Sequence, residues 1–138
     1  MKRHIIAAMI AALALSFAAA LLSCSSEQRN SQASYRQITQ QEAERLMREE
    51  EGYVILDVRT VSEFTEKHIK GAVNIPNETI GSEPIVALPD ADQLIMIYCR
   101  SGNRSKQASE KLVLLGYTNV VEFGGINTWT GETVSGAD

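Results

Sequence analysis

The chain is poor in cysteine, proline and aromatic residues, and it carries no excess of positive charge. Among its 138 residues are only 2 Cys and 3 Pro, and aromatic side chains make up 6%. Two cysteines are too few for the disulfide framework of a small secreted domain. With 13 Lys and Arg against 17 Asp and Glu, the formal charge is −4, which gives no electrostatic basis for binding nucleic acid. A hydrophobic fraction of 44% indicates one ordinary globular domain.

The N-terminus has the layout of a secretory signal. Two basic residues precede an apolar stretch, 5–22, that is broken only by Ser16. Residues 21–24, at the end of this stretch, read LLSC and resemble the lipobox of bacterial lipoproteins. In such proteins the signal is cleaved before the cysteine, and acyl chains on that cysteine hold the protein at a membrane. We therefore predict Cys24 as the lipid attachment site. This leaves Cys99 as the only free thiol and excludes disulfide exchange between two cysteines.

This interpretation divides the chain into three parts. We expect a lipoprotein signal peptide at 1–23, a lipidated cysteine with a polar tether at 24–36, and a globular domain at 37–138. The alternative is an uncleaved transmembrane anchor, because an apolar stretch of about 18 residues reaches the lower limit for a spanning helix. Both place the domain outside the cytoplasm. A lipidated product would belong to the bacterial cell envelope and face the periplasm of a Gram-negative cell, where Ser25 favours the outer membrane.

The rest of the chain alternates between helix and strand patterns. Thr39 and Thr60 each stand three residues before a Glu, as the N-cap of a capping box does. The predicted helices are 40–51, 60–71, 105–115 and 126–130, and the predicted strands are 53–58, 72–75, 94–98 and 120–123. Strands separated by helices predict an α/β fold with a mostly parallel sheet that helices cover on both faces.

Cys99 lies where such a fold places reactive groups. It follows the most apolar predicted strand, and open α/β sheets bind ligands beyond the carboxyl ends of their strands. The polar loop after it opens a helix, so backbone N–H groups and the helix N-terminus favour an anion there. Arg100 and Arg104 add positive charge, and together these features predict a lowered pKa for Cys99. The alternative is an inert buried cysteine, which has no need of a polar turn between two arginines.

Three stretches of the sequence together resemble a single-domain rhodanese. They read LDVRTVSEFTEKHIKGAVNIP at 56–76, YCRSGNRS at 98–105 and VVEFGGINTW at 120–129. They stand in the family's order and spacing, and the resemblance covers nearly all of the chain from position 38 to position 129. One departure is Lys67, where many relatives carry glycine before the His-Ile pair.

The resemblance implies a five-stranded parallel sheet between helices and a sulfurtransferase activity. Cys99 would be the nucleophile that takes sulfane sulfur from a donor such as thiosulfate and so forms a persulfide. An acceptor (cyanide, a small thiol or a protein thiol) would then remove the outer sulfur, and no metal or organic cofactor is required. The matching loop implies a set of substrate-binding residues: Arg100, Ser101, Gly102, Asn103, Arg104 and Ser105.

Two other functions stand as alternatives. Phosphatases and arsenate reductases of related fold resemble this pattern, but with one more residue between the cysteine and the arginine. The shorter loop from Cys99 to Arg104 fits a single sulfur better than a phosphate. The second alternative is a non-catalytic sulfur-carrier or binding module, and the complete loop with its cysteine argues against it.

Asp57 and Arg59 follow a neighbouring predicted strand, so they are candidates to border the same pocket. A structural role is the competing interpretation, in which Arg59 forms an ion pair with Glu63 across the short helix. His68 is expected to be structural, because a thiolate that is already formed needs no general base.

Overall fold

The computed structural model describes residues 34–136. The predicted signal peptide, Cys24 and all of the predicted tether except residues 34–36 lie outside this range. Among the described residues, no helix is both long and apolar enough to cross a membrane. The description that follows therefore concerns the globular domain.

Five parallel strands form the central sheet of the domain. They are β1 (Arg36–Gln37), β2 (Val54–Asp57), β4 (Ala72–Asn74), β5 (Ile95–Cys99) and β6 (Val120–Gly125). Their order across the sheet is β1-β6-β5-β2-β4. Two further strands, β3 (His68–Ile69) and β7 (Thr133–Val134), pair with each other in antiparallel fashion. Cys99 thus ends the central strand, whose residues are all buried.

Helices cover both faces of the sheet. They are α1 (Gln40–Glu49), α2 (Val61–Glu66) and α3 (Asn103–Leu114), with 3₁₀ turns at Asn77–Thr79 and Ile126–Thr128. On one face, α1 contributes Ala43 and Leu46 to the core. On the other face, α3 contributes Ala108 and Leu112. Each core takes alternate residues of the strands, because successive side chains of a strand point to opposite faces. The predicted α/β fold is confirmed.

The two predicted capping boxes differ in the structure. At α2 the box is complete: the Thr60 hydroxyl accepts a hydrogen bond from the Glu63 N–H at 3.3 Å, and the Glu63 carboxylate accepts one from the Thr60 N–H at 3.0 Å. At α1 only half of the box forms, with the Thr39 hydroxyl 3.2 Å from the Glu42 nitrogen. The Glu42 carboxylate instead accepts hydrogen bonds from Arg45, so it is not available to the N-cap.

Several boundaries differ from the predicted ones. The helix predicted to reach position 71 ends at Glu66, and the chain then forms β3 against β7. Helix α3 begins at Asn103, ahead of the predicted start, because Gly102 serves as its N-cap. Arg36, assigned above to the tether, belongs to β1 and pairs with β6. Strands of two residues carry no periodicity of their own, so they arise from tertiary pairing that a local pattern does not reveal.

A bulge in β6 brings that strand close to the loop after Cys99. The register between β5 and β6 shifts after Ile97, so that Cys99 is paired with Gly125. An extra residue on one strand bends it and increases its twist. Gly124 has a φ of +95°, a left-handed conformation that favours glycine. Gly125 packs so closely that a Cβ at this position would overlap the Arg100 carbonyl and come within 2.7 Å of the Ser101 Cα.

The close approach at Gly125 yields the first prediction. We expect Gly125→Ala to displace the loop and to lower the free energy of unfolding by about 1–3 kcal/mol, as overpacking of a tight contact does. Chemical denaturation measures this loss. The matched control is Gly81→Ala, because a Cβ at Gly81 meets no atom within 4 Å. Equal stability of the two variants would contradict the packing described here.

Candidate active site

The loop after β5 turns the chain directly into α3. Gly102 is the N-cap of α3 and has a φ of +105°, in the left-handed region. No side chain caps this helix end, so its N–H groups are available to another acceptor. The Gly102 N–H donates to the Cys99 Sγ at 3.0 Å. The turn therefore aims a backbone donor at the sulfur, as the sequence predicts for an anion cradle.

The surroundings of the Cys99 sulfur stabilise its charged form. Cys99 is only 1% exposed, and the Ser105 hydroxyl lies 3.5 Å from Sγ. Burial of the sulfur raises the pKa of Cys99. Contacts with the Ser105 hydroxyl and with loop N–H groups, that of Gly102 among them, lower this pKa by more than burial raises it. The net direction is a pKa below the ordinary value of a thiol, which is the direction that the loop predicts.

The remaining residues of the predicted binding loop differ in exposure and in their partners. Arg100 and Ser101 are exposed, and the Arg100 carbonyl accepts a hydrogen bond from the Asn127 N–H at 3.3 Å. Asn103 is exposed in the first turn of α3. Arg104 is partly buried on the same turn and points to α2. Of the two arginines, only Arg100 is available to an anion without breaking an ion pair.

Arg104 forms a two-pronged ion pair with Glu63. Its Nη1 and Nη2 donate to the two carboxylate oxygens at 2.7 and 2.8 Å. The hydrogen bond from Arg104 is the main reason that the pKa of Glu63 falls to about 2. The expected ion pair between Arg59 and Glu63 does not form, because Arg59 precedes the helix and turns back to Asp57. Of the two arginines expected to add positive charge at the loop, Arg104 is therefore neutralised by Glu63, and Arg100 remains available.

Asp57 and Arg59 form a buried network with Tyr98. The Asp57 carboxylate, 0% exposed, accepts from Arg59 Nη2 at 2.6 Å and from the Tyr98 hydroxyl at 2.5 Å. Arg59 Nη2 also donates to the Lys67 carbonyl at 2.6 Å. Burial, followed by the contact with Asp57, raises the pKa of Tyr98. This network joins the ends of two neighbouring strands and gives both residues a structural role.

A cavity of about 250 Å³ opens beside the loop. Its lining is mostly charged and comprises Arg59, Glu63, Glu66, Lys67, Arg100, Ile126 and Asn127. Arg59 lines this cavity, whereas Asp57 is fully buried and does not. Lys67, the departure from the family pattern, stands on this rim. Since Glu63 and Arg59 are already paired, Arg100 and Lys67 give the cavity its available positive charge.

Sequence reasoning missed Glu122, which lies beneath the loop. Its Oε1 accepts hydrogen bonds from the Ser105 hydroxyl at 2.6 Å and from the Gly124 N–H at 2.9 Å. The signal was present in the sequence, because Glu122 is the one charged residue in the apolar strand VVEFGG. A charged side chain on a strand that is otherwise buried must find polar partners inside the protein.

His68 and Trp129 pack within the protein. The His68 Nδ1 lies 2.8 Å from the Phe64 carbonyl oxygen, and its ring stacks on the Phe64 ring at 3.7 Å between centroids. The Trp129 ring packs on Phe123 with centroids 5.6 Å apart. Neither arrangement places the side chain in the cavity beside the loop. Within residues 34–136, no three His, Cys, Asp or Glu side chains are grouped as metal ligands.

The comparison with protein families assigns most of the globular domain. The family model of the rhodanese-like domain matches residues 39–132. This match spans four of the five strands of the sheet, among them the bulged β6, and the loop after Cys99. The chain belongs to the rhodanese-like domain family.

Known relatives agree with this assignment. The chain is 37% identical over 71 residues to the thiosulfate sulfurtransferase PspE of Escherichia coli strain K12, an alignment that covers 51% of this chain and 68% of the relative. It is 34% identical to the putative sulfur carrier protein YrkF of Bacillus subtilis, with 61% of this chain and 45% of the relative covered. A solved structure, a rhodanese with anions from E. coli, has a TM-score of 0.56 at 33% identity and covers 61% of this chain and 99% of its own.

The ion pair between Arg104 and Glu63 yields the second prediction. Because the folded state holds the Glu63 pKa near 2, the pair stabilises the fold above about pH 4.3, the ordinary pKa of a glutamate. That stabilisation disappears as the pH falls toward 2. We expect Glu63→Gln to lower stability by about 1 kcal/mol at neutral pH, and the difference from wild type to vanish in acid.

Denaturation curves recorded across pH measure this difference. The control is Glu66→Gln, which removes an exposed carboxylate from the same helix. A loss of stability in Glu63→Gln that is the same at every pH would show that the ion pair is not its cause.

Proposed function

We propose that the chain is a sulfurtransferase that moves sulfane sulfur from a thiosulfate-like anion to a thiophilic acceptor through a persulfide on Cys99. The observation that carries the proposal is the hydrogen bond of 3.0 Å from the Gly102 N–H to the Cys99 sulfur. This donor is fixed by the backbone, so it is in place before any negative charge develops. The thiosulfate sulfurtransferase named among the relatives supports the same reaction.

The proposed reaction has two displacement steps at sulfur. In the first, the Cys99 thiolate attacks the outer sulfur of thiosulfate, a new S–S bond forms, and the old S–S bond breaks with its electron pair leaving on sulfite. In the second, the acceptor attacks the outer sulfur of the persulfide, and the Cys99 thiolate leaves. This is covalent catalysis by an activated nucleophile. Every electron pair is supplied by donor, acceptor or Cys99, so the cycle as proposed requires no metal and no organic cofactor.

The cavity beside the loop is the proposed approach for the donor. Arg100 and Lys67 stand on its rim, and their charges attract a dianion such as thiosulfate. Cys99 exposes only 1% of its surface, so the proposal requires a small donor that reaches the sulfur along the loop. Loop amides from 100 to 104 would then surround the added sulfur in the persulfide.

The acceptor and the cellular setting are also proposals. Cyanide, a small thiol and a protein thiol are all nucleophiles that would discharge a persulfide. The signal-like segment 1–23 and the cysteine at position 24 support an exported protein held by lipid at the cell envelope. In a Gram-negative cell the domain would face the periplasm from the outer membrane.

A sulfur carrier without turnover is the second candidate function. The near-complete burial of Cys99 favours it, because a carrier protects its persulfide, and one relative is named a putative sulfur carrier. The two candidates differ in stoichiometry: a carrier takes up one sulfur and holds it, whereas an enzyme releases sulfite repeatedly when an acceptor is present.

The proposed persulfide yields the third prediction. After treatment of the intact chain with thiosulfate, we expect its mass to rise by one sulfur, and sulfite release to continue when cyanide is added. Cys99→Ser removes the nucleophile, so it should abolish both signals while the fold remains intact. The matched control is Cys24→Ser, which removes the other cysteine and should keep both.

Three outcomes would decide against the enzyme. A mass gain without turnover would favour the carrier. No mass gain on Cys99 would refute the persulfide altogether. Release of phosphate from an aryl phosphate without any sulfur transfer would favour the phosphatase alternative.

A further inference from the structure

Glu122 is a buried carboxyl group that the proposed cycle does not use. It is 3% exposed and lies on β6, on the sheet face that α3 covers. Its Oε1 accepts from the Ser105 hydroxyl at 2.6 Å and from the Gly124 N–H at 2.9 Å. Burying a carboxyl group is costly unless it is hydrogen-bonded. These two bonds satisfy one of its oxygens and tie the group to the loop that holds Cys99.

The Ser105 hydroxyl has one proton and four neighbouring acceptors. A serine hydroxyl donates a single hydrogen bond and accepts others through its lone pairs. Its oxygen lies 2.6 Å from the Glu122 carboxylate, 2.9 Å from the Gly102 carbonyl, and 3.5 Å from both the Cys99 sulfur and the Gly124 carbonyl. The shortest of the four contacts goes to the carboxylate, as expected of a charge-assisted bond. The proton therefore points mainly to the carboxylate, and the Ser105 hydroxyl stabilises the Cys99 thiolate less than a hydroxyl without this competing acceptor would.

The charge of Glu122 is not offset by a close cation. It takes part in none of the ion pairs that join the described residues. Glu122 lines a second surface cavity, distinct from the one beside Arg100. Lys106 of α3 also lines this second cavity, and the side chains that line it from β1 and α1 are the neutral Gln37 and Gln40. The contacts through Ser105 put the carboxylate oxygen within about 6 Å of the Cys99 sulfur. Cys99 is the titratable group of β5 on this side.

We propose that Glu122 is a positioning residue whose buried carboxylate draws the Ser105 hydroxyl proton away from the sulfur and makes the Cys99 thiolate a stronger nucleophile. A negative charge at this distance disfavours a second one, so it opposes the stabilisation of the thiolate by the loop amides. Thiolates of higher pKa are intrinsically more nucleophilic. The loop thus generates the anion, and Glu122 prevents the anion from being stabilised so far that it reacts slowly.

This role of Glu122 rests on the proposed sulfur transfer, in which Cys99 is the nucleophile. Its test needs no sulfur donor. The rate of alkylation of Cys99 by iodoacetamide, followed across pH by the mass of the peptide that contains Cys99, gives both the pKa and the reactivity of the thiolate. Glu122→Gln keeps the shape of the side chain and an oxygen acceptor while it removes the charge.

We expect Glu122→Gln to lower the pKa of Cys99 by about one unit, the scale of the effect of a nearby like charge. At a pH where the thiolate is fully formed, its alkylation should become about threefold slower, as a one-unit fall in thiol pKa predicts. A residue with a purely structural role would change stability and leave both quantities unchanged.

Two further variants complete the test. Glu110→Gln removes an exposed carboxylate from α3 and should change neither quantity. Glu122→Met introduces an uncharged side chain of similar length. It also removes the oxygen that accepts the Ser105 proton, so that this proton is free to turn to the sulfur. It should lower the pKa of Cys99 at least as far as Glu122→Gln does, and it serves in place of that variant if Glu122→Gln fails to fold.

An unchanged or raised pKa of Cys99 in a folded uncharged variant would overturn the inference. A wild-type chain that alkylates as expected but forms no persulfide would instead overturn the proposed function alone.

Discussion

The hydrogen bond from the Gly102 amide to the Cys99 sulfur depends on a backbone conformation that residues with a side chain rarely adopt. At a φ of +105°, Gly102 ends the loop and begins α3 at once, so the helix N-terminus and the amide both face the end of the central strand. The bulge in β6 supports this turn from below, because Gly125 packs against the loop backbone with no room for a Cβ. The chemistry proposed for Cys99 is therefore a consequence of main-chain geometry.

Two carboxylates contact the start of α3 from different sides. Glu63 caps α2 and holds the Arg104 guanidinium with both oxygens, which fixes the first turn of α3 against a neighbouring helix. Glu122 lies beneath the loop and holds Ser105. The first carboxylate neutralises a positive charge near the sulfur, and the second leaves its own negative charge close by. In the proposed mechanism the sulfur is thus activated mainly by oriented amides, with Arg100 and Lys67 as the available cations of the adjoining rim.

Local sequence patterns are sufficient for four of the five strands of the sheet, for the main helices and for the position of Cys99 at the end of a strand. The box at Thr60 and Glu63 was readable because its two residues are three positions apart and need no other partner. The pairing of Glu63 with Arg104 was not readable, since the two are 41 positions apart and meet only when α2 and α3 are folded. Spacing along the helix suggested Arg59 instead, but a residue ahead of the N-cap lies off the helix surface. Short strands such as β3 are not predicted either, because β3 pairs with β7, which is distant in the sequence.

Because the Gly102 N–H donates to the Cys99 sulfur at 3.0 Å, this amide can report directly on the charge of the sulfur. The ¹H and ¹⁵N resonances of Gly102 should shift as the pH is raised through the ionisation of Cys99, with a midpoint below the ordinary pKa of a thiol. The shift should be absent in Cys99→Ser. A Gly102 amide that does not respond to the ionisation of Cys99, or that exchanges freely with solvent while the amides of the sheet are protected, would show that this amide does not hold the sulfur as an anion.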